Sequence, residues 1–158
     1  MRVVSYQSLR DELVAILPAE VQWGPGRDRS YVRPSKRWAE LFASWCWLNA
    51  PPYKAEGRDC DNRADWLREE ARKSREAGGI ELAETALVTT DIIVPPWNDG
   101  SNFLNIDKSQ MDDFGGHETN LIATDEDGWF FVDPNSEALW SLIDALNNDL
   151  CVVAWCRL

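Results

Sequence analysis

The chain has 158 residues, 44% hydrophobic and 27% charged, which predicts one globular domain over residues 1–158 with room for a sizeable core. Its 16 basic and 27 acidic residues leave a formal net charge of −11, which argues against binding to nucleic-acid phosphates or anionic membranes and leaves room for a basic protein partner. No run approaches the roughly 18 apolar residues of a membrane span, and Met1–Gln7 lacks the apolar core of a signal peptide, so the expected location is cytoplasmic.

In chain order, Ser8–Leu17 predicts a first helix, with Ser8 as N-cap, Leu9, Leu13, Ile16 and Leu17 as its apolar stripe and Pro18 as its stop. Val21–Arg33, with Gly24-Pro25-Gly26, predicts a loop with one short strand. Pro34–Leu48 predicts a second helix whose wide inward face carries Trp38, Leu41, Phe42, Trp45 and Leu48. A third helix runs from about Asp59 to Glu76, with Trp66 and Leu67 inward and Gly78-Gly79 ending it. Ala86–Val94 is rich in β-branched residues and predicts a strand. Residues 95–116 form a long irregular loop beside the candidate site. His117–Thr124 and Trp129–Asp133 predict a hairpin across 125–128, Ser136–Leu146 a fourth helix capped by Asn135 or Ser136, and Leu150–Cys156 a last strand. Helices first and an antiparallel sheet behind them make an α+β fold.

The chemistry-bearing residues fall on this frame in a telling order. Cys60 opens the third helix, where unpaired amides and the helix dipole favour a thiolate. His117, the single histidine, lies on a strand entered through Gly115-Gly116. Asp133 ends the next strand. Thiol, imidazole and carboxylate in that order suit a nucleophile, a base and an orienter, with first-turn amides of the helix available to hold an oxyanion. A symmetric four-residue turn would pair Asp133 with Asn120 rather than His117, so Asn120 is a competing orienter. Asp59 and Asp61 flank Cys60 and oppose the dipole, while Arg58 and Arg63 offset them. Cys46, Cys151 and Cys156 sit in apolar contexts and read as structural thiols. Cys151 and Cys156 are placed on opposite faces of a regular strand, and the four cysteines have no disulfide-scaffold or zinc spacing.

The acids Asp59, Asp61 and Asp65, with Asn62, also suggest a calcium site, against the plainer role of helix caps; no cofactor is otherwise required.

The segment Tyr53-Lys54-Ala55-Glu56-Gly57-Arg58-Asp59-Cys60-Asp61-Asn62-Arg63-Ala64 resembles the Tyr-x-x-Glu-x-x-Asp-Cys-Asp-Asp-Phe-Ala segment of papain-like domains. Such domains lie at the C-terminus of a fungal agglutinin and in bacterial and phage relatives. Gly116-His117-Glu118-Thr119-Asn120 and Val132-Asp133-Pro134-Asn135 resemble the family's Gly-His-Ala-x-Asn and Glu-Pro-Gln. Bacterial transglutaminase-like cysteine proteinases share the order. The resemblance covers roughly Tyr31 to Asn135. It implies a papain-like fold, a Cys60/His117/Asp133 triad acting on a peptide or protein substrate and, in the agglutinin branch, calcium dependence. Asn62 and Arg63 stand where the family has Asp-Phe, and Asp133 where it has Glu.

Two other functions compete. An acidic interaction or inhibitor protein fits the charge and size, with the triad a relic. A carbohydrate-binding module would account for nine tryptophans, although Trp38, Trp45, Trp66 and Trp140 fall at helix-core spacing and only Trp23 and Trp97 in loops.

Overall fold

A computed structural model describes residues 2–25, 30–54, 59–77, 84–95, 101–111, 115–126 and 128–157, without the side chains of 74–77. Arg58, Gly78-Gly79 and Trp97 lie outside the described residues. A short strand β1 (Arg2–Ser5) leads into helix α1 (Tyr6–Ile16). Ser5, not Ser8, caps that helix, its hydroxyl accepting from the Ser8 amide at 3.1 Å. Strands β2 (Gln22–Trp23) and β3 (Ser30–Arg33) follow, then helix α2 (Lys36–Asn49), capped by Ser35. Helix α3 (Cys60–Ala77), β4 (Glu84–Thr85), β5 (Leu87–Ile93), β6 (Gly116–Thr124), β7 (Gly128–Val132), β8 (Trp140–Ser141), helix α4 (Leu142–Asn147) and β9 (Val152–Arg157) complete the order.

The fourth helix is thus shorter than 136–146. Ser141 caps it through the Asp144 amide at 3.3 Å, and Asn135 and Ser136 precede it in a turn.

Six strands form the main sheet in the order β2-β9-β5-β6-β7-β8, antiparallel except for the β2–β9 pair. A second, three-stranded sheet has the order β1-β3-β4. The fold is α+β and resembles a papain-like domain. Alternation along β6 sends successive side chains to opposite faces. Leu121 and Ala123 join Leu9 and Leu13 of α1, Phe131 and Leu142 in one core. Ile122 joins Leu87, Val132, Phe42 and Cys46 of α2, and Leu67 and Ala71 of α3, in the other. Each fully buried leucine among these contributes roughly 1.5–3 kcal/mol of transfer free energy.

Buried Arg33 ties the first core together, donating through one guanidinium nitrogen to both Glu12 carboxylate oxygens at 2.8 and 2.7 Å and through Nε to the Thr124 carbonyl at 2.7 Å.

Helix α2 is rotated relative to the expected inward face. Ala39, Phe42, Ala43 and Cys46 point inward, whereas Leu41, Trp45 and Leu48 are exposed at 55%, 43% and 70%. The inward face is the one that meets Leu67 and Ala71 of α3 and Ile122 of β6, and further aromatic rings stack along its flank. Trp38 lies on Phe42, and Trp45 on Trp66, with centroids 4.9 and 5.8 Å apart.

The long segment after β5 is partly core. Phe103, Leu104 and Ile106 are buried, and Asn102 clamps its own loop by accepting from the Ile106 amide and donating to the Ile106 carbonyl.

Cys151 and Cys156 share the first core rather than opposing faces, because a bulge in β9 leaves Ala154 without a partner on β5 and brings Val153 and Cys156 to the same side. Among the described residues no helix is long and apolar enough to cross a membrane.

Candidate active site

Helix α3 begins where the sequence predicts. Asp59 caps it, with its carboxylate accepting from the backbone and side-chain amides of Asn62 at 3.3 and 2.9 Å. Its carbonyl takes the Arg63 amide at 3.1 Å. Cys60 is therefore the first helical residue. The amides of Cys60 and Asp61 have no partner among the described residues, as the start of a helix dictates. The thiol is partly exposed and donates to Asp61 Oδ1 at 3.4 Å.

His117 enters near the start of β6, where Gly115 adopts φ 80° and a Cβ there would come within 3.0 Å of the Val94 carbonyl oxygen. That left-handed, close approach suits glycine. The ring is 5% exposed and Asp133 is 1% exposed. His117 Nε2 and Asp133 Oδ2 are 2.7 Å apart.

The hairpin register explains why Asp133 reaches the histidine. Thr124 pairs with Gly128 and Asn120 with Val132, so the loop is one residue shorter than a symmetric four-residue turn. Continuing the ladder by one step places Asp133 opposite Thr119, which shares the strand parity of His117. Asn120 falls on the other parity. Its side chain donates to the Ala64 carbonyl at 3.1 Å and accepts from the Thr89 hydroxyl at 3.2 Å, so it braces α3 against the sheet instead of orienting the ring.

Electrostatics reinforce the pair. Burial disfavours a charged imidazole, but the Asp133 carboxylate and its hydrogen bond, followed by Cys60, outweigh that and raise His117 from 6.5 to about 9. Asp133 is held below the usual carboxylate range. Burial pushes it up, and His117, the Asn135 amide and Thr119 pull it down by more. An ionised Asp133 can only accept, so Nε2 carries the proton. Nδ1 has no aligned partner among the described residues. Cys60 is near enough to act on the ring, yet its thiol is turned to Asp61. Such misalignment is common before substrate arrives.

Other residues take places in the site that the sequence did not give them. Asn135, read there as a helix cap, instead donates from its amide and side chain to Asp133 Oδ1 at 2.8 and 2.9 Å. Its side-chain oxygen accepts from Arg63 at 3.1 Å. Asp91 opposes Glu118 across β5 and β6. Burial, then the nearby Asp61 and Asp91, raise the Glu118 carboxyl from 4.5 to about 8. A pattern search along one strand cannot find such a cross-strand acid pair.

The three candidate calcium acids do not converge. Asp59 caps α3, Asp61 accepts from the thiol, and Asp65 pairs with Arg157 at 3.3 Å. Among the described residues no group of three or more His, Cys, Asp or Glu could hold a metal ion. Among the described residues, then, Asp59, Asp61 and Asp65 do not come together as a calcium centre.

No protein-family model matches the chain, and no curated protein matches it. Solved structures do. PSL1a, the Polyporus squamosus lectin, solved in complex with E-64, superposes with a TM-score of 0.67 at 13% identity. The alignment covers 99% of this chain and 50% of the lectin chain. The same fungus's lectin bound to a human-type influenza-binding epitope gives 0.66 at 12% identity, covering 99% and 49%. The chain thus spans about half the length of the lectin chains it matches, and the likeness is one of fold.

Proposed function

We propose that the chain is a thiol-dependent amide-bond hydrolase or acyl transferase acting on a peptide or protein, with Cys60 as nucleophile, His117 as base and Asp133 as orienter. The observation that carries this reading is the buried 2.7 Å contact between His117 Nε2 and Asp133, with Cys60 at the head of α3 acting on the same ring. In the reaction, a ring that has shed its extra proton takes the Cys60 proton on Nδ1 as the sulfur attacks the carbonyl carbon. The Cys60 and Asp61 amides are placed to receive the resulting oxyanion. The amine leaves with the proton from His117, giving a thioester. Water or an amine, deprotonated by the same imidazole, then releases the acyl group and restores the thiol.

The likeness of fold to a lectin solved with the peptide-like inhibitor E-64 supports a thiol-directed reading of the site. The test is labelling with a chloroacetamide probe followed by peptide mapping, with and without E-64. The proposal expects label on Cys60 alone, dependence on His117, and protection by E-64. Equal labelling of all four cysteines in the folded chain, or unchanged Cys60 labelling in His117→Ala, would sink it. The acidic interaction-protein alternative would then lead.

A further inference from the structure

Arg63 and Asn135 have no place in that reaction, yet Asn135 is bonded directly to its orienter and Arg63 to Asn135. Arg63 lies one helical turn after Cys60 and is 8% exposed, an uncommon position for a guanidinium. Burial works against its charge, and Asp133 and Cys60 support it. The side chain donates to Asn135 Oδ1 at 3.1 Å.

The chemistry of the donors gives this contact a direction. A guanidinium has only donors, so the Asn135 amide must turn its oxygen toward Arg63. Its nitrogen then faces Asp133 Oδ1, at 2.9 Å, alongside the Asn135 backbone amide at 2.8 Å. With Oδ1 filled by two donors, Asp133 stays an acceptor and Oδ2 takes the proton-bearing Nε2 of His117 at 2.7 Å. Only Nδ1 is then left to exchange a proton with the thiol. If the Asn135 amide were reversed, its nitrogen would face Arg63 and its oxygen would face a carboxylate, and both contacts would be repulsive.

We propose that Arg63 and Asn135 are positioning residues. They fix the donor–acceptor sense of a hydrogen-bonded chain running Arg63, Asn135, Asp133, His117, and so keep the His117 proton on Nε2 and the basic nitrogen toward Cys60. The inference rests on the proposed triad for its purpose but not for its test.

His117 is the single histidine, so its ring is directly readable by nitrogen NMR in the intact chain. Above the pH at which the ring loses its extra proton, the wild type is expected to keep hydrogen on Nε2. Arg63→Met and Asn135→Ala should each raise the fraction carrying hydrogen on Nδ1 about tenfold, the effect of losing one charge-assisted hydrogen bond. Arg63→Lys, still donor-only, should stay within about threefold of wild type. In an Asp133→Asn background the Arg63→Met change should have no further effect, since the chain is already broken.

A merely structural Arg63 would lower the melting temperature and leave the tautomer alone. That result overturns the inference, as does an Arg63→Met effect that persists without Asp133. If Arg63→Met does not fold, Asn135→Ala decides alone. A tautomer shift in a chain whose Cys60 labels no faster than the other thiols supports the inference and sinks the triad. Selective Cys60 labelling with an unchanged tautomer does the reverse.

Discussion

Two thiols on neighbouring helices define the chemistry available to this chain. Cys46 sits in the last turn of α2, fully buried in the cluster with Leu67 and Ile122, and burial together with nearby Glu70 pushes it up to about 12. Cys60 opens α3 half-buried, with first-turn amides that have no partner among the described residues and an imidazole beside it. Both residues are helical cysteines. The difference lies in where along the helix each stands. A last-turn residue has its own amide bonded and meets the negative end of the dipole, whereas a first-turn residue meets free N–H groups and the positive end. Cys151 and Cys156 behave like Cys46, with burial raising them to about 12 and about 11.

The largest effect expected of breaking this contrast is on turnover. Cys60→Ala and His117→Ala should each remove it, by on the order of a thousandfold or more, while Cys46→Ala leaves the rate per folded molecule unchanged. Steady-state cleavage of a peptide library, with circular dichroism as a folding control, checks this. Turnover surviving in Cys60→Ala would assign the activity elsewhere.

Asp133→Ala should be milder, leaving partial activity at about a hundredth of the wild-type rate, because an orienter tunes the imidazole without touching the substrate. Asn120→Ala separates the alternative orienter from its structural role. It leaves the Ala64 carbonyl and the Thr89 hydroxyl without their partner, so unfolding free energy should fall by about 1–3 kcal/mol in urea titration. The rate per folded molecule should hold within a few-fold.

Stability should also depend on pH with a definite sign. The folded state raises His117 from 6.5 to about 9, so its contribution is full below 6.5 and is lost as pH rises through about 9. Glu118, raised from 4.5 to about 8, contributes fully below 4.5 and loses that contribution as pH rises through about 8. Both slopes point the same way, so the melting temperature should fall between about pH 5 and pH 9. Glu118→Gln should flatten the lower part of that fall and His117→Ala the upper part. A melting temperature that climbs across this range would contradict both environments.

The smallest expected effect is at Asp61, whose carboxylate competes with His117 for the thiol proton at 3.4 Å. Asp61→Asn should speed chloroacetamide labelling of Cys60 by a few-fold, on the order of the change from removing one exposed neighbouring charge.

Much of this was legible along the chain because it depends on local chemistry. The start of α3 at Asp59-Cys60, the glycine-entered strand carrying His117 and the strand ending at Asp133 follow from cap preference, backbone freedom and β-branching, all of which act over a few residues. What the chain alone left open depends on register and rotation. One residue in the hairpin loop decided whether Asp133 met His117 or Asn120, and a strand's period of two turns such a step into a change of face. The surface that α2 meets decided that Ala39, Phe42, Ala43 and Cys46 are buried while Trp45 and Leu48 face outward, a match of two surfaces that is written in neither alone. Arg63 and Asn135 lie far apart in sequence, and only the packing of α3 against the end of β7 brings a donor-only cation to the amide that holds the orienter.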